Sequence, residues 1–79
     1  MKLPRDLSGR ELIKVLCRDF SYVRVHQEGS HVVLHTDTPG HHRIAIPDHS
    51  PLRLGTLNAI LNAVARAQGV GKTDILEKL

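Results

Sequence analysis

The feature that most constrains this chain is a change of hydrophobic period at Tyr22. Before it, Leu12, Ile13, Leu16, Cys17 and Phe20 recur at helical spacing, while Arg10, Lys14 and Arg18 fall on the other side. Ser8 and Glu11 are spaced as a capping box, with Leu7 and Leu12 placed as a hydrophobic staple, so a helix is predicted to begin at Ser8. After it, Val23 and Val25 alternate with Arg24, His26 and Glu28, the period of a strand with one buried face. One chain that makes this switch must mix helix and sheet.

The remaining punctuation completes the order. Gly29-Ser30 fits a two-residue hairpin turn, because glycine supplies the positive φ needed at the first central position. A second strand is predicted over His31 to Thr36. Asp37-Thr38-Pro39-Gly40 marks another turn, and His42 to Pro47 carries Ile44 and Ile46 at alternate positions for a third strand. Asp48 to Arg53 reads as a loop. From Gly55 to Gln68, Leu57, Ile60, Leu61 and Val64 share one side of a second helix, opposite Asn58, Asn62 and Arg66. Gly69 and Gly71 end it, and Thr73 is placed to cap a short C-terminal helix offering Ile75, Leu76 and Leu79.

The predicted fold class is therefore α+β, in the order α-β-β-β-α with a short C-terminal helix, and residues 1–79 are expected to form a single domain. Both helices should pack on one face of a three-stranded antiparallel sheet. Val23, Val25, Val32, Leu34, Ile44 and Ile46 would be buried beneath them, and the opposite sheet face would stay uncovered.

Composition narrows the partners. Lys and Arg number 11 against 8 acids, a net charge of +3 that mildly favours anionic partners. Phe20 and Tyr22 are the only aromatic residues, which argues against binders that stack several bases on exposed rings. A single cysteine, Cys17, and no apolar run of signal-peptide or membrane-span length point to a cytoplasmic protein without a membrane role. Six histidines in so short a chain are the oddity.

The predicted hairpin gathers several of them on the open face. Glu28 would stand across from His31, His26 across from Val33, and Arg24 across from His35, with Arg43 projecting from the third strand on the same side. Glu28 beside His31 would favour the charged imidazole and orient the ring. Histidine suits RNA cleavage, which takes one proton from the 2′-hydroxyl and gives one to the departing 5′-oxygen near neutral pH. Arg24 and Arg43 would neutralise charge on the phosphate. Exposed histidines on a sheet are more often simply solvated, so composition alone does not carry this reading.

Gly29-Ser30-His31, together with Ile46-Pro47-Asp48-His49 and Leu54-Gly55-Thr56-Leu57-Asn58-Ala59-Ile60-Leu61, resembles the HicA family of bacterial and archaeal toxins. The resemblance covers most of the chain. It implies a fold like that of a double-stranded-RNA-binding domain and a messenger-RNA interferase activity in which the motif histidine, here His31, is required for cleavage. Glu28 and Val32 stand where many relatives carry a basic residue and a second histidine. His26, His35 and Arg24, in that order, are candidates for the complementary group, with Glu28 in support. The resemblance also implies a HicB-like antitoxin partner that covers the active surface, and it gives no reason to expect a metal or other cofactor.

A fold of that kind meets RNA through its first helix, first hairpin and the start of its last long helix. The matching residues are Lys14 and Arg18, Gly29 and Ser30, and Arg53 with Thr56, joined by Arg43 on the sheet. At the second helix, the Gly55 and Thr56 amides would hold a phosphate at the positive end of the dipole, or Thr56 would simply cap its own helix. Gly69-Val70-Gly71-Lys72-Thr73 is not a phosphate-binding P-loop, because Arg66 stands where the motif needs glycine. A zinc site is disfavoured: there is one cysteine, and His31 and His35 lie roughly 13 Å apart at ~3.3 Å per strand residue. His41 and His42 read as solvated turn residues. The rival readings are a non-catalytic RNA-binding module of the same fold and a protein that only binds its cognate partner.

Overall fold

A computed structural model describes residues 3–79. The elements run α1 (Gly9–Asp19), β1 (Val23–Glu28), β2 (His31–Thr36), β3 (His42–Pro47), α2 (Leu54–Gln68) and α3 (Lys72–Leu76). The strands form one antiparallel sheet in the order β1-β2-β3. This is the α-β-β-β-α arrangement predicted from the periodicity, with helices on one face and the other open.

Helix α1 starts where its capping box demands. The Ser8 Oγ accepts from the Glu11 N–H at 3.1 Å, and the Glu11 carboxylate reaches back to the Ser8 N–H at 3.4 Å. Leu7 and Leu12 are both buried, as a staple requires. The helix stops at Ser21, which takes a left-handed φ of 63°, while the Tyr22 N–H bonds back to the Leu16 carbonyl. Helix α2 ends at Gly69 with φ 67°, a conformation glycine adopts without steric cost. Helix α3 is capped by Asp74, whose Oδ2 accepts from the Gly71 N–H at 2.8 Å; Thr73 lies inside the helix and does not take the predicted capping position.

The core lies between the helices and the inner face of β2 and β3. Leu12, Leu16, Val32, Leu34, Ile46, Leu57, Leu61, Val64 and Ile75 are fully buried there, with Ile44 packed at its margin. Strand β1 departs from expectation. Val23 and Val25 are 54 % and 48 % exposed, and no β1 residue enters the core; Tyr22, just ahead of the strand, is buried instead. Two causes act together. β1 is an edge strand, while α1 and α2 lie over β3. A β-bulge between Arg24 and His26 then shifts the register by one residue, so that Arg24 pairs with Leu34 and His26 with Val33.

Gly9 sets how closely α1 approaches the sheet. A Cβ at this position would stand 1.8 Å from the Pro47 carbonyl oxygen, so only glycine permits the contact. The Gly9 N–H donates to the His49 carbonyl at 2.8 Å, the Leu52 N–H to Leu7 at 2.8 Å, and the Asp48 N–H to Ser30 at 2.6 Å. These three bonds draw the first hairpin turn, the end of β3, the start of α1 and the approach to α2 together at one end of the molecule.

Candidate functional site at the first hairpin turn

Gly29 has a φ of 57°, and Ser30 is not in the positive-φ region, the pattern of a type II′ turn. Its twist matches that of the flanking strands and places Glu28 directly across from His31, the predicted register. His31 is exposed at the start of β2, and its side chain has no hydrogen bond or ion pair among the described residues. On its other side it pairs with Pro47 of β3. An imidazole so placed is open to solvent on the outer face, with both ring nitrogens available.

The residues around it differ in part from those expected. His26 and Glu28 share the His31 face, but the Glu28 carboxylate lies 3.8 Å from His26 Nε2, so its ion-pair partner is His26. Arg24 is displaced by the bulge. It pairs with Leu34, whose side chain enters the core, and its charge acts on Cys17 of α1, so it stands on the helix side rather than facing His35. His35 lies four residues along β2 and engages Asp37 at 3.1 Å, away from the turn. Arg43 pairs with His35 on the open face, where it was predicted.

Three residues at this end escaped the sequence reading. His49 Nε2 lies 3.2 Å from the Ser30 hydroxyl, which ties a second imidazole to the residue preceding His31. Asp48 receives Arg10 at 3.6 Å, bringing an exposed guanidinium from the first turn of α1 to the same end. The block containing Asp48 and His49 was visible in the sequence. Its nearness to Ser30 was not, because nineteen residues separate them and only the closure of β3 against the hairpin joins them.

The other predicted RNA contacts lie elsewhere. Lys14 and Arg18 line a shallow groove between α1 and the C-terminal residues Lys78 and Leu79, on the helix side of the sheet. The Arg18 guanidinium is engaged by Asp19 at 2.8 Å, and that hydrogen bond holds the Asp19 carboxyl below its ordinary range. At α2, Arg53 is the N-cap residue and Thr56 sits within the first turn, with no side-chain capping bond. Thr56 therefore does not cap its helix, and the first amide groups of α2 carry no side-chain partner of that kind. Cys17, behind the sheet, has its thiol pushed up by burial, with Arg24 opposing.

The second turn is more ordered than solvated residues would be. The Tyr22 hydroxyl and His42 Nδ1 are 2.7 Å apart, the rings meet edge-on at 5.8 Å, and burial holds the His42 imidazole below its usual range, helped by the nearby His41 charge. His35 and His41 both turn toward Asp37. None of the described helices is long and apolar enough to cross a membrane.

The family model described as the HicA toxin of bacterial toxin-antitoxin systems matches residues 9–65, from the first residue of α1 to the last turns of α2. No curated protein and no solved structure matches the chain.

Proposed function

Because the chain belongs to the HicA family of bacterial toxin-antitoxin toxins, we propose that it is an endoribonuclease that cuts messenger RNA in the cytoplasm and that His31 carries proton transfer. The observation that supports this reading is the position of His31: exposed, its imidazole without a partner among the described residues, and presented by a two-residue turn at the rim of an open sheet face.

The chemistry asks little of the protein. One imidazole removes the proton from a ribose 2′-hydroxyl, the freed oxygen attacks the adjacent phosphorus, and the bond from phosphorus to the 5′-oxygen breaks. A second group gives a proton to that departing oxygen, leaving a 2′,3′-cyclic phosphate and a 5′-hydroxyl. His49, fastened to Ser30, is the complementary group in this proposal, with the His26–Glu28 pair beside the same turn in support. Arg10 is brought to this end to neutralise phosphate charge, Arg43 lies further along the open face where it would meet flanking RNA, and the Gly29 and Ser30 backbone brings the strand within reach. The start of α2 at Arg53 and Thr56 extends the contact to flanking RNA, and Lys14 and Arg18, on the helix side, would be reached by RNA that continues round the edge of the sheet. No step requires a metal or cofactor. A HicB-like antitoxin would silence the toxin by covering the His31 face.

The test is incubation of the purified chain and its His31→Ala variant with a labelled transcript in the presence of chelator. The parent should produce fragments ending in cyclic phosphate, and the variant should produce none while keeping its fold. Equal cleavage by both would remove His31 from the reaction; RNA binding without cleavage by either would leave a binding module. Growth arrest on expression, relieved by the neighbouring gene product, is the expected sign of an antitoxin.

A further inference from the structure

We propose that His35, Asp37 and His41 form a surface site for a divalent transition ion of the zinc class, separate from the His31 turn. The three residues come from the end of β2 and the turn that follows it, and their ligand atoms all lie within 4.8 Å of one another. Two of the separations already suit coordination. His35 Nε2 and His41 Nδ1 stand 3.1 Å and 3.5 Å from the same oxygen, Asp37 Oδ1. Bonds of ~2.0–2.2 Å at tetrahedral angles place neighbouring donor atoms roughly 3.3–3.5 Å apart.

The side chains are also free to serve. His41 and Asp37 are largely exposed, while His35 is fixed by its strand and packed edge-on against the His41 ring, with centroids 4.6 Å apart. The exposed His41 side chain would need to close only the remaining gap, since all three ligand atoms already lie within 4.8 Å of one another. His42, the next residue, is excluded as a ligand because its Nδ1 is taken by the Tyr22 hydroxyl and its strand position sends it to the opposite sheet face.

The donor set selects the ion. Two imidazole nitrogens and one carboxylate suit Zn²⁺, Ni²⁺ or Cu²⁺, whereas Mg²⁺ and Ca²⁺ seek oxygen ligands. Three protein donors leave at least one position open to water or to an anion, and Arg43, paired with His35 on the sheet, stands where it would help hold such an anion. Occupancy would tie the loop over residues 37–41 to β2, so the ion would favour the folded chain. His35 was read from the sequence as support for catalysis; its partners assign it to this second cluster, about 13 Å along the strand from His31 at ~3.3 Å per residue.

The test is calorimetric titration of the tag-free full chain with Zn²⁺ alone, beside His41→Ala, Asp37→Asn and His31→Ala. One Zn²⁺ should bind per parent chain, with affinity falling more than about tenfold in the first two variants and unchanged in the third. Zn²⁺ should raise the thermal midpoint of the parent and not of His41→Ala, and Mg²⁺ should do neither. All three positions are exposed or at a strand end, so circular dichroism should show the variants folded. Absence of saturable binding, or equal binding by the parent and His41→Ala, would overturn the site. The readout is independent of RNA cleavage, which is expected to survive chelation.

Discussion

At the residue scale, exposure and partner decide what each histidine can do. His31 is unpaired among the described residues, His49 is held by Ser30, His42 by Tyr22, and His35 and His41 by Asp37. His49→Ala should therefore lower the cleavage rate by roughly 10²–10⁴, the usual loss for a general acid or base, with little change in the folded fraction. A full rate in that variant would return the complementary role to His26. Tyr22→Phe leaves the His42 nitrogen without its hydroxyl partner and should cost about 1 kcal/mol in denaturant unfolding. Asp19 has a depressed carboxyl through its hydrogen bond from Arg18, so its contribution to stability is present above the unfolded-state value near ~3.9 and fades as pH falls through the lower folded-state value. Asp19→Asn should accordingly be less stable than the parent near neutral pH, and the gap should close in strong acid.

Elements are set by their ends, and the two long helices begin differently. Helix α1 has a complete capping box, so Ser8→Ala should cost about 1 kcal/mol; Thr56→Ala at the start of α2 should fall within about 0.5 kcal/mol of the parent, because no side-chain cap is lost. A thermal melt of the two variants checks the contrast directly. Gly9 belongs to the same scale. Its missing Cβ admits the Pro47 carbonyl, and Gly9→Ala should destabilise by at least about 2 kcal/mol, a fall in melting temperature of roughly 10 °C for a chain this short. Because Gly9 also bonds to His49, this variant should loosen the second imidazole before it unfolds the chain. The β1 bulge is the element whose effect the alternation of Val23 and Val25 did not foretell: one extra residue sends Arg24 to the helix side and leaves both valines in solvent.

Across the whole molecule, the helices cover one sheet face and leave the other open, and the positive groups divide between the two sides. Arg43 is on the open face and Arg10 at the hairpin end, while Lys14 and Arg18 lie behind the sheet. Local interactions made the element order, the α1 cap, the II′ turn and the β2–β3 alternation readable from the sequence, since each depends on residues a few positions apart. The exposed His31 belongs with these, because a strand register across a two-residue turn is a local property. Tertiary closure alone decided that His49 reaches Ser30, that Gly9 must be glycine, that an edge strand beyond the helices leaves Val23 and Val25 uncovered, and that three residues around the second turn converge on one point. Periodicity encodes which face of an element is apolar; distances between segments follow only once the faces have been packed together.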